Sequence, residues 1–461
     1  MNNVDRLGSS FRDPSGFLFR KDGILYRQIN NIYSGDYEKL IQSGLYDNLV
    51  SKKLLIEHED VSGEFRLEPP AYKVVRPKLI QHVSYPYEWC FCQLQDAALI
   101  TLRIQKIALD YDLSLKDCSA YNIQFSNGKP ILMDTLSFER YREGEPWVAY
   151  RQFCQHFLAP LALMAYRDVR LSKLLRTFID GVPLDLASKL LPARTRFKFP
   201  IMTHIHLHAS AQKRYADKPV KPGDVRIGKV SRTAFLGLIS SLRSLVKKLE
   251  WKPAGTEWGD YYEICAYSES ALDEKKRVIG EWVEELQPAN VWDLGANLGF
   301  FSRISSEQGI PTLAFDIDPA AVEQNYLRIK QLHEGNLLPL VMDLTNPSPS
   351  LGWANEERDS FLERGPADLV LALALIHHLV ISNNVPLIEF ASFLAKTGHK
   401  AIVEFVPKED QQVKKLLLTR QDIFENYDLK HFEQAMENFF EIKEVASIEG
   451  TPRLLYLLQK K

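Results

Sequence analysis

The chain carries one stretch that narrows its possible folds more than any other. Residues Val291-Trp292-Asp293-Leu294-Gly295-Ala296-Asn297-Leu298-Gly299-Phe300-Phe301-Ser302 run from apolar side chains into an acid, then two glycines, then a helix-opening segment. That order describes a strand turning sharply into a helix, with a ligand in the bend. Glycine tolerates the backbone angles of such a turn and lets a ligand approach the main chain. A second apolar run, Thr312-Leu313-Ala314-Phe315, ends in Asp316, 23 residues after Asp293. An acid at the tip of a second strand suits a ribose diol.

The spacing also excludes a dinucleotide. Its fingerprint needs glycines at relative positions one, three and six, and those places hold Gly295, Asn297 and Phe300. The glycine that lets a pyrophosphate sit close is missing, and Asp293 would repel the phosphates. A cofactor with a ribose and a cationic amine but no phosphate fits better, and S-adenosylmethionine is such a molecule. With these residues, positions 255–461 resemble the class I S-adenosylmethionine-dependent methyltransferases. The Asp-Leu-Gly-Ala-Asn-x-Gly loop matches a variant of that family's first motif. Asp316, followed by Ile317-Asp318-Pro319, matches its ribose-binding acid. Asp343, in Leu340-Val341-Met342-Asp343-Leu344, matches the residue beside the adenine ring. The resemblance implies Asp293, Gly295, Asn297, Gly299, Asp316, Ile317, Asp343 and Leu344 as the cofactor-binding set. Asp293 would accept from the methionine ammonium, directly or through water. Gly295 and Gly299 would admit the cofactor, and Asn297 would shape the loop.

At 461 residues the chain suits two domains or three. A hydrophobic content of 45% and a charged content of 25% are those of a globular protein. A net charge of −2 gives no overall basic field, so no nucleic-acid partner is expected. No stretch is long and apolar enough for a membrane span, and the N-terminus has no signal-peptide core. The five cysteines include no paired CxxC sets, and no histidine cluster has zinc spacing. Reduced thiols, no metal and a cytoplasmic location are the expectation.

Along the chain, residues 16–29 read as a hairpin turning at Lys21-Asp22-Gly23, followed by a helical stretch over 35–50 and strand-like runs at 53–57 and 72–83. From Glu88 to Asp110, Phe91, Leu94, Ala98, Leu102 and Ile107 recur at helical spacing. Helices are expected over 147–190, and a Lys/Pro/Gly-rich linker over 215–233, including Lys218-Pro219-Val220-Lys221-Pro222-Gly223. Residues 229–252 form a basic amphipathic helix, packed between domains or touching a partner or a membrane surface. The second half alternates strands at 290–294, 312–316, 338–342, 368–374 and 400–406 with helices. Strands at 439–446 and 453–458 follow, joined by Glu449-Gly450-Thr451-Pro452 and so antiparallel. The domains expected are 1–205, a linker and helix over 206–254, and 255–461. The fold class is α/β: a Rossmann-like seven-stranded sheet with an antiparallel last strand, preceded by an α+β domain.

In that first domain Asp117-x-x-x-x-Asn122, followed twelve residues later by Asp134 at a strand end, resembles the catalytic loop and metal-binding Asp of the protein-kinase-like fold. Aminoglycoside- and choline-kinase-like phosphotransferases are the nearer likeness. The resemblance implies an Asp that orients a hydroxyl, and an Asn and a second Asp that hold magnesium on phosphates. Leu115 stands where that family has His, and Thr135-Leu136 where it has Phe-Gly. There is no Gly-rich phosphate loop, and Arg27 is the one candidate for the strand lysine. The alternative is that Asp117 and Asn122 cap turns, with the domain binding substrate or stabilising the enzyme. The whole layout is similar to NoeA-like nodulation methyltransferases of bacteria. Tyr85-Pro86-Tyr87-Glu88-Trp89, Leu115-Lys116-Asp117, Asp134-Thr135-Leu136-Ser137-Phe138-Glu139 and Trp258-Gly259-Asp260-Tyr261-Tyr262 carry that likeness.

The fourth strand ends in Leu373-Ala374-Leu375-Ile376-His377-His378-Leu379, which faces the methyl group in the resembling fold. An Asp/Asn-Pro-Pro-Tyr tetrapeptide there would signal a base-amine methyltransferase, and it is absent. His377 or His378 is the candidate base, against packing or hydrogen-bonding histidines. Glu404 lines the acceptor site or has a surface or capping role. Tyr261, Tyr262 and Tyr267 form a lid or pack as core aromatics. The expected activity is methyl transfer to a small-molecule, carbohydrate or protein hydroxyl. The alternatives are phosphotransfer by the first domain, with the second regulatory, and a non-enzymatic binding protein.

Overall fold

The computed structural model describes residues 5–209, 229–253, 268–418 and 421–461. Lys218–Gly223, Trp258–Tyr262 and Tyr267 lie outside the described residues. The chain forms two compact units: Met1–Lys252 with Leu351–Arg358, and Pro253–Ser350 with Asp359–Lys461.

The first unit opens with β1 (Asp5–Arg6), β2 (Gly16–Lys21), β3 (Ile24–Asn30), β4 (His58–Asp60) and β5 (Ala71–Pro77). They form one antiparallel sheet in the order β1-β2-β3-β5-β4. The β2–β3 turn places Asp22 at φ 52° and Gly23 at φ 78°, the left-handed pair that matches strand twist in a tight hairpin. The helical stretch over 35–50 is two helices, Ser34–Gln42 and Leu45–Ser51, because Gly44 at φ 80° ends the first. Residues 53–57 make no ladder; Leu55 only bridges to Leu132. Helix Phe91–Leu109 leads to β6 (Leu113–Leu115), β7 (Ile123–Ser126), β8 (Lys129–Leu132) and β9 (Phe138–Arg140), paired as β6–β9 and β7–β8. The helices over 147–190 are interrupted. A π turn at Cys154–Leu158 precedes Ala159–Tyr166, where Pro160 lacks the N–H that would bond back along the ladder.

Part of the stretch 206–254 belongs to this first unit. Helix Arg232–Lys248 packs on Phe91–Leu109 and buries Phe235, Ile239, Leu242, Leu245 and Val246. Gln95 Nε2 donates to the carbonyls of Val246 and Leu249 at 2.8 and 2.9 Å, satisfying its C-terminal turn. The apolar face, expected to pack between domains or else to meet a partner or membrane, is used inside the first unit. Leu351–Arg358 also completes this unit. Arg12 Nε donates to Glu357 at 2.9 and 3.0 Å, and the Arg358 guanidinium lies 4.4 Å from the Tyr121 ring centroid.

The second unit holds β10 (Val291–Leu294), β11 (Thr312–Asp316), β12 (Leu337–Val341), β13 (Ala367–Ala372), β14 (Gly398–Phe405), β15 (Phe440–Ser447) and β16 (Leu454–Lys460). Their order is β12-β11-β10-β13-β14-β16-β15. The first five run parallel, and β16 lies antiparallel to both its neighbours. β10, β11 and β12 are buried at every residue, as strands covered on both faces must be. Edge strand β15 exposes Glu441, Lys443 and Glu444, which discourages further pairing. β13 stops at Ala372, short of the 374 expected, and Ala374 takes φ 49°. Helix Glu269–Leu286, capped by Ser268, buries Ala271, Lys275, Val278, Ile279, Trp282 and Val283 along one face.

Candidate functional site

Sheet order reverses between β10 and β13, and in parallel sheets ligands bind beyond the carboxyl ends at that reversal. The second unit gathers its acids there. Asp293, third in β10, is buried, and its Oδ2 accepts from the Ser302 hydroxyl at 2.6 Å. Burial pushes its carboxyl up to about 7, while the Ser302 hydrogen bond and Lys275 pull it down. Asp316 closes β11. Its Oδ2 accepts the Asn297 backbone N–H at 2.7 Å, and its Oδ1 accepts the Asp318 N–H at 2.8 Å. Burial pushes this carboxyl up to about 6, against those backbone hydrogen bonds. The second-strand acid is thus tied to the middle of the glycine loop.

The loop alternates left-handed residues: Gly295 at φ 77°, Asn297 at φ 49° and Gly299 at φ 71°. The N–H groups of Gly295 and Ala296 both donate to the Phe315 carbonyl at 2.9 Å. A Cβ on Gly295 would stand 3.1 Å from Leu375 Cδ1. A Cβ on Gly299 would strike the Asn325 side-chain amide, so this glycine's missing side chain makes room for helix Pro319–Leu332. Arg303 braces the far end of the loop, donating to the Leu298 and Gly299 carbonyls at 2.8 and 2.9 Å and to Asn325 Oδ1 at 2.9 Å.

Asp343 lies two residues past β12, whose Val341 pairs with Asp316. Its Oδ1 accepts the Thr345 N–H and hydroxyl at 2.9 and 2.6 Å. The Met342 N–H donates to the Asp316 carbonyl at 2.7 Å, joining the tips of β11 and β12. Leu344 is half-buried and Ile317 is exposed. The three acids therefore end three neighbouring parallel strands.

His377 is fully buried, and neither ring nitrogen has a hydrogen-bond partner; its ring centroid is 4.1 Å from that of His378. Burial lowers both, His377 well below the usual histidine value and His378 to about 4, with the charge of Arg453 adding to each. Both are neutral at pH 7. Glu404 is not on the surface. It is completely buried, with Lys275 Nζ at 2.5 Å and Arg453 Nη1 at 3.3 Å, and Arg453 Nε reaches Asp410 at 2.7 Å. Lys275 also sits 4.3 Å from the Phe301 ring centroid, at the end of the glycine loop. Lys275, Arg453, Asp410, Ser302 and Arg303 were not among the residues expected from sequence. Lys275 left one trace there, a lysine on the apolar stripe of an amphipathic helix.

In the first unit, Asp117 Oδ1 accepts the Ser119 N–H at 2.9 Å and Gln152 Nε2 at 2.8 Å, and the Asn122 side chain hydrogen-bonds to it as well. Burial raises its carboxyl above the usual value, and the charge of Asp134 adds to that. Asp134 accepts the Leu136 N–H and the Ser137 hydroxyl at 2.9 and 2.8 Å, and Arg27 Nη1 from β3 lies 2.8 Å from its Oδ1. Asp117, Asn122 and Asp134 do converge, with an arginine already paired to the last. Among the described residues no group of three or more His, Cys, Asp or Glu is placed to hold a metal ion, and no helix is long and apolar enough to cross a membrane.

No protein-family model matches the chain. Nodulation protein NoeA of Rhizobium meliloti (strain 1021) is 34% identical over 460 residues, 99% of this chain and 96% of that protein. Among solved structures, magnesium protoporphyrin IX methyltransferase from Synechocystis PCC 6803 with bound SAH is 18% identical. It covers 41% of this chain and 84% of its own, at a TM-score of 0.31. The bifunctional kinase-methyltransferase WbdD is 18% identical over 47% of this chain and 45% of its own, at a TM-score of 0.30.

Proposed function

Because the chain belongs to the family of the nodulation protein NoeA, we propose that it is an S-adenosylmethionine-dependent methyltransferase whose second unit carries the reaction. The observation that bears most weight is the bond from Asn297 N–H to Asp316, which sets a buried acid against a left-handed glycine loop. The donor set suits that cofactor. Asp293 and Asp316 offer carboxylates to an ammonium and a ribose diol, and would repel a pyrophosphate.

When bound, the cofactor supplies a methyl group already activated on a sulfonium, whose leaving group is a neutral thioether. The protein's task is then to hold a nucleophile in line with that carbon. Asp293 would hold the ammonium and Asp316 the ribose hydroxyls, the latter with lone pairs left beyond its two backbone bonds. Asp343 and Leu344 would flank the adenine. Gly295 keeps the loop close to Leu375, and Asn297 shapes its bend. Burial holds His377 and His378 neutral but also weakens both as proton acceptors, so of the two candidate roles a hydrogen bond from an acceptor hydroxyl suits them better than full proton abstraction. The acceptor class that fits is a small-molecule, carbohydrate or protein hydroxyl.

Phosphotransfer by the first unit is the weaker alternative. The Arg27 guanidinium already takes the Asp134 oxygen that magnesium would need. Calorimetry tests both. Wild-type protein should bind S-adenosylmethionine, and Asp316→Ala should lose at least tenfold in affinity, as expected for bonds to a charged acceptor. Equal binding by the variant, or magnesium-dependent ATP binding without S-adenosylmethionine binding, would overturn the assignment.

A further inference from the structure

A short loop of the first unit leaves two aromatic rings in water. Phe197 is 90% exposed and Phe199 is 81% exposed, with Leu207 nearby in sequence at 56%. Single exposed apolar residues need no explanation, but two large rings two residues apart on one loop do. The loop is anchored from below. Thr195 is buried; its hydroxyl donates to the Pro192 carbonyl at 2.7 Å and lies 2.9 Å from His206 Nε2. His206 Nδ1 lies 2.8 Å from the Ser188 hydroxyl, and Ile201 and Ile205 are buried just beyond. The 3-10 turn Ala193–Phe197 and the turn Phe199–Ile201 are thus fixed on one side while both rings project on the other.

Cations alternate with the rings. Arg194, Arg196 and Lys198 are exposed, and among the described residues Arg194 and Arg196 form no ion pair. Lys198 Nζ donates to the Tyr166 hydroxyl at 3.0 Å. The sequence holds no acid between Asp185 and Asp217, in a chain whose net charge is −2. This is local charge segregation against the overall balance.

We propose that the loop Arg194–Phe199 docks on the surface of an anionic phospholipid bilayer. The two rings would enter the boundary between headgroups and acyl chains, and the three cations would meet lipid phosphates. Insertion of apolar side chains and attraction to anionic lipid together are what give a peripheral protein stable membrane contact. Projecting rings suit a soft surface; a protein partner would need a preformed pocket for each. The proposal is independent of the methyltransferase assignment.

Cosedimentation of the full chain tests it, with vesicles of phosphatidylcholine alone and of phosphatidylcholine mixed with phosphatidylglycerol. The wild type should sediment with the mixed vesicles at low salt, and high salt should release it. Arg194→Gln/Arg196→Gln/Lys198→Gln should lose on the order of a hundredfold in partition coefficient. Phe197→Ser/Phe199→Ser should abolish sedimentation with its melting temperature unchanged, since both side chains lie in water. Failure of the wild type to sediment with anionic vesicles would overturn the proposal. So would equal sedimentation of the Phe197→Ser/Phe199→Ser protein, or equal affinity for neutral vesicles. Vesicle-independent binding of an acidic protein through these residues would also overturn it, in favour of a protein partner.

Discussion

Asp293→Asn separates the cost of the buried acid from its use. Burial holds the Asp293 carboxyl at about 7, against an ordinary value of 3.8. Ionising it in the folded protein therefore costs on the order of 4 kcal/mol relative to the unfolded chain. The sign follows from linkage. A folded value above the unfolded one means that the native state binds more protons between the two, so stability falls as pH rises. The contribution is complete below about pH 4 and lost once pH passes about 7. Asp316, pushed up to about 6, acts in the same direction. Asn cannot ionise, and its side chain can still meet the Ser302 hydroxyl. Urea unfolding at a series of pH values should show wild-type protein losing stability relative to Asp293→Asn as pH climbs from 4 to 7. Above pH 7 the variant should be the more stable without cofactor. S-adenosylmethionine should narrow that gap. At a hundred times its dissociation constant it adds about 2.7 kcal/mol to a protein that binds it, and the variant should gain little. A wild-type minus variant difference that is flat from pH 4 to 8 would refute the burial argument. Equal cofactor protection of the two proteins would refute the role given to Asp293.

Three further substitutions and measurements test neighbouring parts of the structure. Gly299→Ala forces a methyl group into Asn325 at φ 71° and should lower stability by about 2 kcal/mol or more, read as a shift in urea midpoint at constant slope. Lys275→Met removes one of the cations paired with buried Glu404 and should cost about 3 kcal/mol. Adding Glu404→Gln should restore part of that loss in a double-mutant cycle. The imidazole proton resonances of His377 and His378 should not titrate between pH 5.5 and 8, because burial keeps both neutral there; an inflection near 6.5 would contradict the packing around them.

Strands were legible wherever local pattern and tertiary need coincide. β10, β11, β12, β13 and β14 are apolar runs flanked by turns, and their bounds sit within two residues of the expected ones. The glycine loop was equally legible, since its left-handed residues are Gly295, Asn297 and Gly299. The failures share one cause. Residues 53–57 are as apolar as a strand, but Leu54, Leu55 and Ile56 are buried without a ladder, and apolar content reports burial rather than hydrogen-bonding partners. The helix at 232–248 carries a stripe that a membrane or a protein interior would accept equally well. Nothing in the sequence reveals that Asn325 lies across from Gly299.

The amino-acid order by itself determined the alternation of strand and helix in the second half, the sharp acid-glycine bend, and the acids Asp293, Asp316 and Asp343 at successive strand ends. These features depend on residues within a few positions of one another. Only the tertiary structure decided the buried pairing of Lys275 with Glu404, 129 residues apart, and the half-buried pairing of Arg27 with Asp134. It alone decided that Leu351–Arg358 completes the first unit. Such pairings form because desolvation leaves a buried charge no other solution, and a partner chosen by folding has no fixed distance along the chain.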